Sequence, residues 1–245
     1  MSSRATLDER SRCTLLVNFH GSGFIFPRHG ADDEFCRKMS QETGRTVLDV
    51  QYRLAPEHPF PAALNDAEDA VRWVLNQPHK FDQRISISGF SAGGNFALAL
   101  TNLFPAETFH SLIAIYPVVD IHTAPELKVA PEPGKAIPLF MSRFFDACYV
   151  PTGYDKRDPR ISPFYASTDR FPKRVMIVSA SRDSLAVEAE TLARKIAKEP
   201  GIDREVVQAR MQGCEHGFDK RAIPGTIQWD AREKTYAMAA AMLLR

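Results

Sequence analysis

Ser91 stands in Gly89-Phe90-Ser91-Ala92-Gly93, a G-x-S-x-G stretch between a β-branched apolar run and an apolar run of helical character. No other feature restricts the fold of this chain as strongly. A serine flanked by glycines two before and two after fits a turn from strand into helix. That turn is so tight that the serine backbone is strained and its hydroxyl stands clear. The five residues alone are modest evidence, and their setting between strand and helix gives them weight.

The rest of the chain repeats that alternation. Cys13–Phe19, Arg45–Val50, Arg84–Ser88, Ser111–Tyr116, Arg174–Ala180 and Arg204–Met211 read as strands. Between them lie helical stretches. One carries Phe35, Cys36 and Met39, with Gly44 as its stop; the next opens at Pro61 and aligns Leu64, Ala67, Val71, Val74 and Leu75 on one face. Ser91–Thr101, a segment aligning Leu185, Ala189, Leu192, Ala193 and Ile196, and a closing helix near Trp229–Leu244 complete the set. Trp73 is expected in the core. Such alternation predicts an α/β fold: a mostly parallel sheet of about six strands with helices on both faces. Residues 1–245 form one domain in this reading. The Pro-rich stretch 122–172, with one predicted helix near Leu139–Tyr149, is a cap- or lid-like insertion.

In a parallel sheet of this kind, ligands sit beyond the carboxyl ends of the strands. A serine hydroxyl there needs a base, and the base needs an orienting acid. For a nucleophile on a strand-to-helix elbow, acid and base follow in the order Ser, Asp or Glu, His, each after a later strand. Asp183 follows the strand ending at Ala180, and His216 follows the one ending near Met211; His110 and His122 come too early. Ser91, Asp183 and His216 are therefore the expected catalytic residues. His20-Gly21-Ser22-Gly23-Phe24 follows the first strand, where glycines let backbone N–H groups approach a developing oxyanion. The Ala92 N–H at the helix start completes that site. A histidine acts as base only when neutral, so activity is expected to fall below roughly pH 6.5.

Other candidates have plainer roles. Tyr52, Arg53, Glu57 and Asp66 are expected to fix the Pro-rich loop and the helix after it, and Asp120 is placed facing the site. Composition excludes several classes. Lys+Arg 31 against Asp+Glu 30 leaves no basic excess for nucleic acid. No apolar run approaches the roughly 18 residues of a membrane span, and the charged opening MSSRATLDERSR is no secretory signal. Cys13, Cys36, Cys148 and Cys214 form no CxxC pair, so neither a metal site nor a disulfide framework is expected, and the cytoplasm is the expected location.

HGSGF, YRLAPEHPFPAALND, GFSAGGN, SRDSL and EHGF, in that order, resemble the hormone-sensitive-lipase-like (family IV) carboxylesterases, a branch of the α/β-hydrolase fold of fungal and microbial type. The resemblance runs from about Val17 to the C-terminus. It implies a serine hydrolase of small to medium esters, without cofactor, with Ser91, Asp183 and His216 as triad. It further implies Ser22, Gly23 and Ala92 N–H groups in the oxyanion hole, and His20 and Gly21 supporting the loop.

Three departures stand out. Glycine is usual at Ser22, whose Cβ could narrow the acyl pocket or restrict the loop, and whose hydroxyl could add a donor. Asp is usual at Phe90, here read as a packing change. A longer N-terminal part is usual before His20, which only 19 residues precede here. The N-terminal cap and first two strands are thus expected to be missing, leaving Arg45–Val50 at an open edge and a homodimer as one way to cover it. Three alternatives stay open: an arylacetamide-type deacetylase or acyl transferase on the same triad; a non-catalytic ligand-binding relative; and a truncated, inactive product.

Overall fold

The computed structural model describes residues 13–245. The opening segment, read above as no secretory signal, lies outside the described residues. Six parallel strands form one sheet: β1 Cys13–Phe19, β2 Thr46–Val50, β3 Phe81–Phe90, β4 Phe109–Ile115, β5 Arg174–Ala180 and β6 Glu205–Met211. Their spatial order is β2-β1-β3-β4-β5-β6. Six helices alternate with them: α1 Asp33–Thr43, α2 Ala62–Leu75, α3 Ala92–Leu100, α4 Leu139–Tyr149, α5 Ala186–Ala197 and α6 Ile227–Leu243.

Strand periodicity divides the core in two. Leu15, Val17 and Phe19 of β1 and Val175 and Ile177 of β5 face one layer, which is covered by α2, α3 and α5. Leu16 of β1 and Met176 and Val178 of β5 face the other, against Phe35 and Met39 of α1 and Tyr236, Ala239 and Leu243 of α6. Strands buried on both faces read as unbroken apolar runs, which is why they were legible. Gly44 ends α1 in the left-handed conformation at φ 69°, as its position in the sequence predicts.

The chain runs outward from β1 to β2 and then returns across β1 to start β3. The direction of winding therefore reverses between β1 and β3, and a crevice opens at the carboxyl ends of those two strands. The loop after β1 begins at His20, and Ser91 directly follows β3. Among the described residues β2 has a strand neighbour on one side only, so the strand predicted at an edge lies at one.

Residues 122–172 lie between β4 and β5, with α4 and short 3-10 turns at Pro125–Leu127, Pro163–Tyr165 and Thr168–Arg170. Asn95 of α3 links this insertion to the segment that leads into it, donating from Nδ2 to the Val118 carbonyl at 3.0 Å and to the Ile161 carbonyl at 2.9 Å.

Four expectations need correction. Trp73 is not core: it is 50% exposed, one step off the buried stripe Leu64-Ala67-Val71-Val74, and its ring rests on the edge of Phe81. Asp120 does not line the central cavity; its carboxylate closes a turn, accepting from the backbone N–H of His122 and Thr123 and from Thr123 Oγ1. Glu57 is exposed and its side chain makes no hydrogen bond among the described residues, whereas Arg53 and Asp66 form the expected ion pair at 2.7 Å. β3 is longer than the predicted Arg84–Ser88, because pairing with β1 starts at Phe81 and pairing with β4 runs through Phe90.

Candidate active site

The turn from β3 into α3 places Ser91 at φ 52°, ψ −114°, a strained conformation worth about 1–3 kcal/mol that the surroundings must hold. They do so with the Ser91 N–H bonded to the Ile115 carbonyl at 3.0 Å and the Ser91 carbonyl accepting from Asn95 N–H at 3.0 Å. The flanking glycines are a matter of space. A Cβ on Gly93 would lie 1.9 Å from the Phe19 carbonyl oxygen, and one on Gly89 would lie 2.2 Å from the Gly93 oxygen. No side chain fits either position.

Asp183 and His216 reach this serine from the ends of β5 and β6. His216 Nε2 is 2.8 Å from Ser91 Oγ, and His216 Nδ1 is 2.7 Å from Asp183 Oδ2. The carboxylate can only accept, so Nδ1 carries the proton and Nε2 is left bare to accept from the serine hydroxyl. Asp183 is buried, and its other oxygen accepts from the Leu185 N–H at 3.1 Å. One carboxylate thus both fixes the turn into α5 and orients the histidine. The ring of Tyr116 packs edge-on against His216 at 4.8 Å and limits its rotation.

Across the crevice the loop after β1 carries its backbone close to the serine: a Cβ on Gly21 would lie 3.2 Å from the Phe90 oxygen and 3.5 Å from Ser91 Cβ. Gly23 and Phe24 follow with φ 56° and 67°. Among the described residues no acceptor takes the N–H of Gly23 or of Ala92. Ala92, first residue of α3, has none within the helix, so its N–H is free for a ligand.

Tyr52 holds this loop. Its buried hydroxyl lies 2.5 Å from the His20 carbonyl, to which it donates, and 2.9 Å from Ser22 Oγ. Ser22 Oγ in turn accepts from the Phe24 N–H at 2.9 Å. The Ser22 hydroxyl is therefore committed within the loop and adds no donor to the crevice; of the readings its sequence position allows, it restricts the loop. His20 is buried with its ring stacked on Tyr52 at 4.4 Å, and burial pushes its pKa below the ordinary histidine value, which suits a neutral brace.

Beneath the elbow lies a charged cluster that no motif announces. The Lys220 ammonium meets Asp32 at 2.6 Å and Asp219 at 2.9 Å and sits 3.6 Å from the ring centre of Phe90. Burial alone would depress this lysine, but Asp219 and Asp32 keep it charged and raise its pKa. Asp219 also accepts from Tyr116 and Tyr236 at 2.5 and 2.8 Å. Where the resembling family has a carboxylate, Phe90 therefore offers an aromatic face to a lysine that two other carboxylates already neutralise. Asp219 and Lys220 follow His216 closely, but Asp32 is nearly two hundred residues away, and nothing in its surroundings marks it.

Ser91, His216 and the glycine loop open into one cavity of about 780 Å³. Its far wall comes from the insertion, chiefly Pro125, Ile137, Pro138, Met141 and Phe145. The insertion docks directly on the loops that carry the triad. The Glu132 N–H donates to the Ser181 carbonyl at 2.8 Å, and the Lys135 N–H donates to Glu215 Oε1 at 3.3 Å.

A family model described as the alpha/beta hydrolase fold matches residues 16–220. The chain is 29% identical over 210 residues to an ethyl acetate hydrolase of Pseudomonas putida, covering 83% of this chain and 65% of that protein. It is 33% identical over 121 residues to hormone-sensitive lipase of Homo sapiens, covering 47% of this chain and 11% of that one. A solved hyperthermophilic esterase from the archaeon Pyrobaculum calidifontis is similar at TM-score 0.82 and 28% identity, over 96% of this chain and 77% of that one. The chain thus spans just under two thirds of the length of the Pseudomonas putida relative.

Proposed function

The chain belongs to the α/β-hydrolase family, in its hormone-sensitive-lipase-like branch, and from that premise we propose that it hydrolyses small to medium carboxylic esters through an acyl-enzyme. Ser91 Oγ attacks the ester carbonyl while His216 Nε2 takes its proton. The carbonyl oxygen becomes an oxyanion held by the N–H groups of Ser22, Gly23 and Ala92. His216 then gives its proton to the leaving alcohol. It next deprotonates a water that attacks the acyl-serine, and then returns that proton to Ser91 Oγ as the acyl–oxygen bond breaks and the free acid leaves. Asp183 holds the imidazole tautomer and stabilises the imidazolium throughout.

The observation that carries this reading is the unbroken contact from Asp183 through His216 to Ser91, at 2.7 and 2.8 Å, on the floor of a largely apolar cavity. Its size suits a small organic ester. Residues 122–172 serve as the lid. The intact Ser91–His216 contact favours catalysis over a merely ligand-binding relative or an inactive product.

A serine-reactive fluorophosphonate should label wild type at Ser91, and a panel of p-nitrophenyl acyl esters should show Ser91-dependent turnover. Absence of an adduct in a folded preparation overturns the proposal. Matched esters and amides tell ester hydrolysis from deacetylation on the same triad. The edge strand β2 makes a homodimer the natural assembly, and the free thiols suit the cytoplasm. Sedimentation and cell fractionation test these two points.

A further inference from the structure

One ionisable group in the cavity wall has no task in the hydrolysis just proposed. Along α4, Met141, Ser142, Phe145 and Asp146 line the cavity that holds Ser91. Their i, i+1, i+4, i+5 spacing puts them on one helix face. That face rests on the glycine loop: a Cβ on Gly23 would lie 3.0 Å from Phe145 Cζ. Asp146 is half-buried, and among the described residues no donor hydrogen-bonds its carboxylate. Its oxygens keep solvent access. Asp146 lines this cavity and also a second, of about 270 Å³, behind the helix.

The charged neighbours are already engaged. Lys128 binds Glu188 at 2.8 Å and the Asp120 carbonyl, Asp120 closes its own turn, and Glu126 pairs with Arg143. Lys156 and His122 line the second cavity, outside hydrogen-bond reach of Asp146. Burial raises the Asp146 carboxyl to about 6; Lys128 and Lys156 pull it back, while Asp120 and Glu126 push it further up. A carboxylate without a hydrogen-bond partner, on a helix face whose Met141 and Phe145 offer it none, gains most from a ligand that brings a donor.

We propose that Asp146 determines substrate specificity by accepting a hydrogen bond from a hydroxyl or ammonium group on the substrate chain, so that the site favours donor-bearing esters over plain alkyl esters. This rests on the esterase reading and adds a substrate class to it.

The test compares kcat/KM for matched pairs: alkyl esters against ω-hydroxy and ω-amino esters, with the substituent on the acyl or the alcohol side, over a range of chain lengths. Because both members of a pair need His216 in the same state, their ratio cancels its titration and any inactive fraction of protein. At the chain length that reaches Asp146, wild type should prefer the donor-bearing ester about tenfold, and Asp146→Leu should bring that ratio close to one. Asp146→Asn should retain part of the hydroxyl preference and lose the ammonium preference. The ammonium ester stays charged throughout, so its ratio should rise as pH passes about 6 and the carboxyl ionises. Ratios unchanged by Asp146→Leu, or an ammonium ratio flat from pH 5 to 8, overturn the inference while leaving ester hydrolysis intact. If no ester shows Ser91-dependent turnover, the esterase reading falls and takes this inference with it.

Discussion

The strand ends and the insertion meet across one cavity, yet they are built in opposite ways. At the strand ends every reacting group is fixed twice. Ser91 is held by a strained turn and by two backbone hydrogen bonds; Asp183 by its turn and by His216; the glycine loop by Tyr52 and Ser22. The insertion is anchored by Tyr149, Ile161 and Phe171 in the core and by hydrogen bonds such as those of Asn95, Glu132 and Lys135, but none of residues 131–148, which include the cavity-facing side of α4, is buried. Its outer side leaves Phe140 and Phe144 exposed. The difference follows from what each part must do. Bond-making tolerates little displacement, so it sits on the sheet; substrate selection tolerates more and sits on a loop.

The contrast can be broken most sharply at the serine. Ser91→Ala or His216→Ala should lower kcat/KM for a p-nitrophenyl ester by at least about a thousandfold, with the circular dichroism spectrum unchanged. Retained turnover in either variant removes the catalytic role from the strand ends altogether.

Tyr52→Phe probes the support beneath the glycine loop. Without the hydroxyl the buried His20 carbonyl loses its donor, so kcat should fall about tenfold while KM changes little. A change confined to KM would mean that the loop binds substrate and does not stabilise charge. Phe145→Ala, on the insertion side, should do the reverse. It should raise KM about threefold to tenfold for longer acyl chains and lower kcat by less than that, because the ring lines the cavity and packs on Gly23 but takes no part in proton transfer.

Acid should act on the two regions with opposite sign. Burial alone would raise Glu190 of α5, but Arg210 at 2.5 Å and Ser179 at 2.7 Å hold its pKa below the ordinary value. Its contribution is present above the usual glutamate pKa and lost as pH falls through the lowered one. Glu190→Gln should therefore cost a few degrees of Tm at pH 7 and flatten the decline of Tm below about pH 4. At the junction with the insertion, burial outweighs the Lys128 ammonium and raises Glu188 to about 7. A raised carboxyl favours folding while protonated, and that advantage is lost as pH rises from the ordinary glutamate value through about 7. Hydrogen exchange in residues 122–172, corrected for intrinsic rates, should be slower at pH 5.5 than at pH 8. Equal protection at both values would mean that the junction carries no such load.

How far the sequence could be read follows the same division. β1, β5 and α4 have the ends their apolar patterns indicate, and Gly44 stops α1 where expected. Trp73 misled because hydrophobicity alone does not say which side of a helix a residue faces. Asp120 misled because an aspartate after a strand closes a turn as readily as it meets a ligand. Nothing local marks Asp32, Tyr116 or Lys220, whose meeting under Phe90 depends on three separate loops arriving together.

The sequence by itself determined the strand–helix alternation, the elbow, and the order in which Ser91, Asp183 and His216 follow their strands. These are local consequences of residue size, backbone freedom and apolar period, and they act over a few residues each. Only the tertiary structure decided that Ser22 spends its hydroxyl on Tyr52, that Phe90 shelters Lys220, and that Asp146 opens unpartnered onto the same cavity as Ser91. The meaning of a polar group in the interior depends on which partners reach it, and those partners are brought from distant parts of the chain by packing.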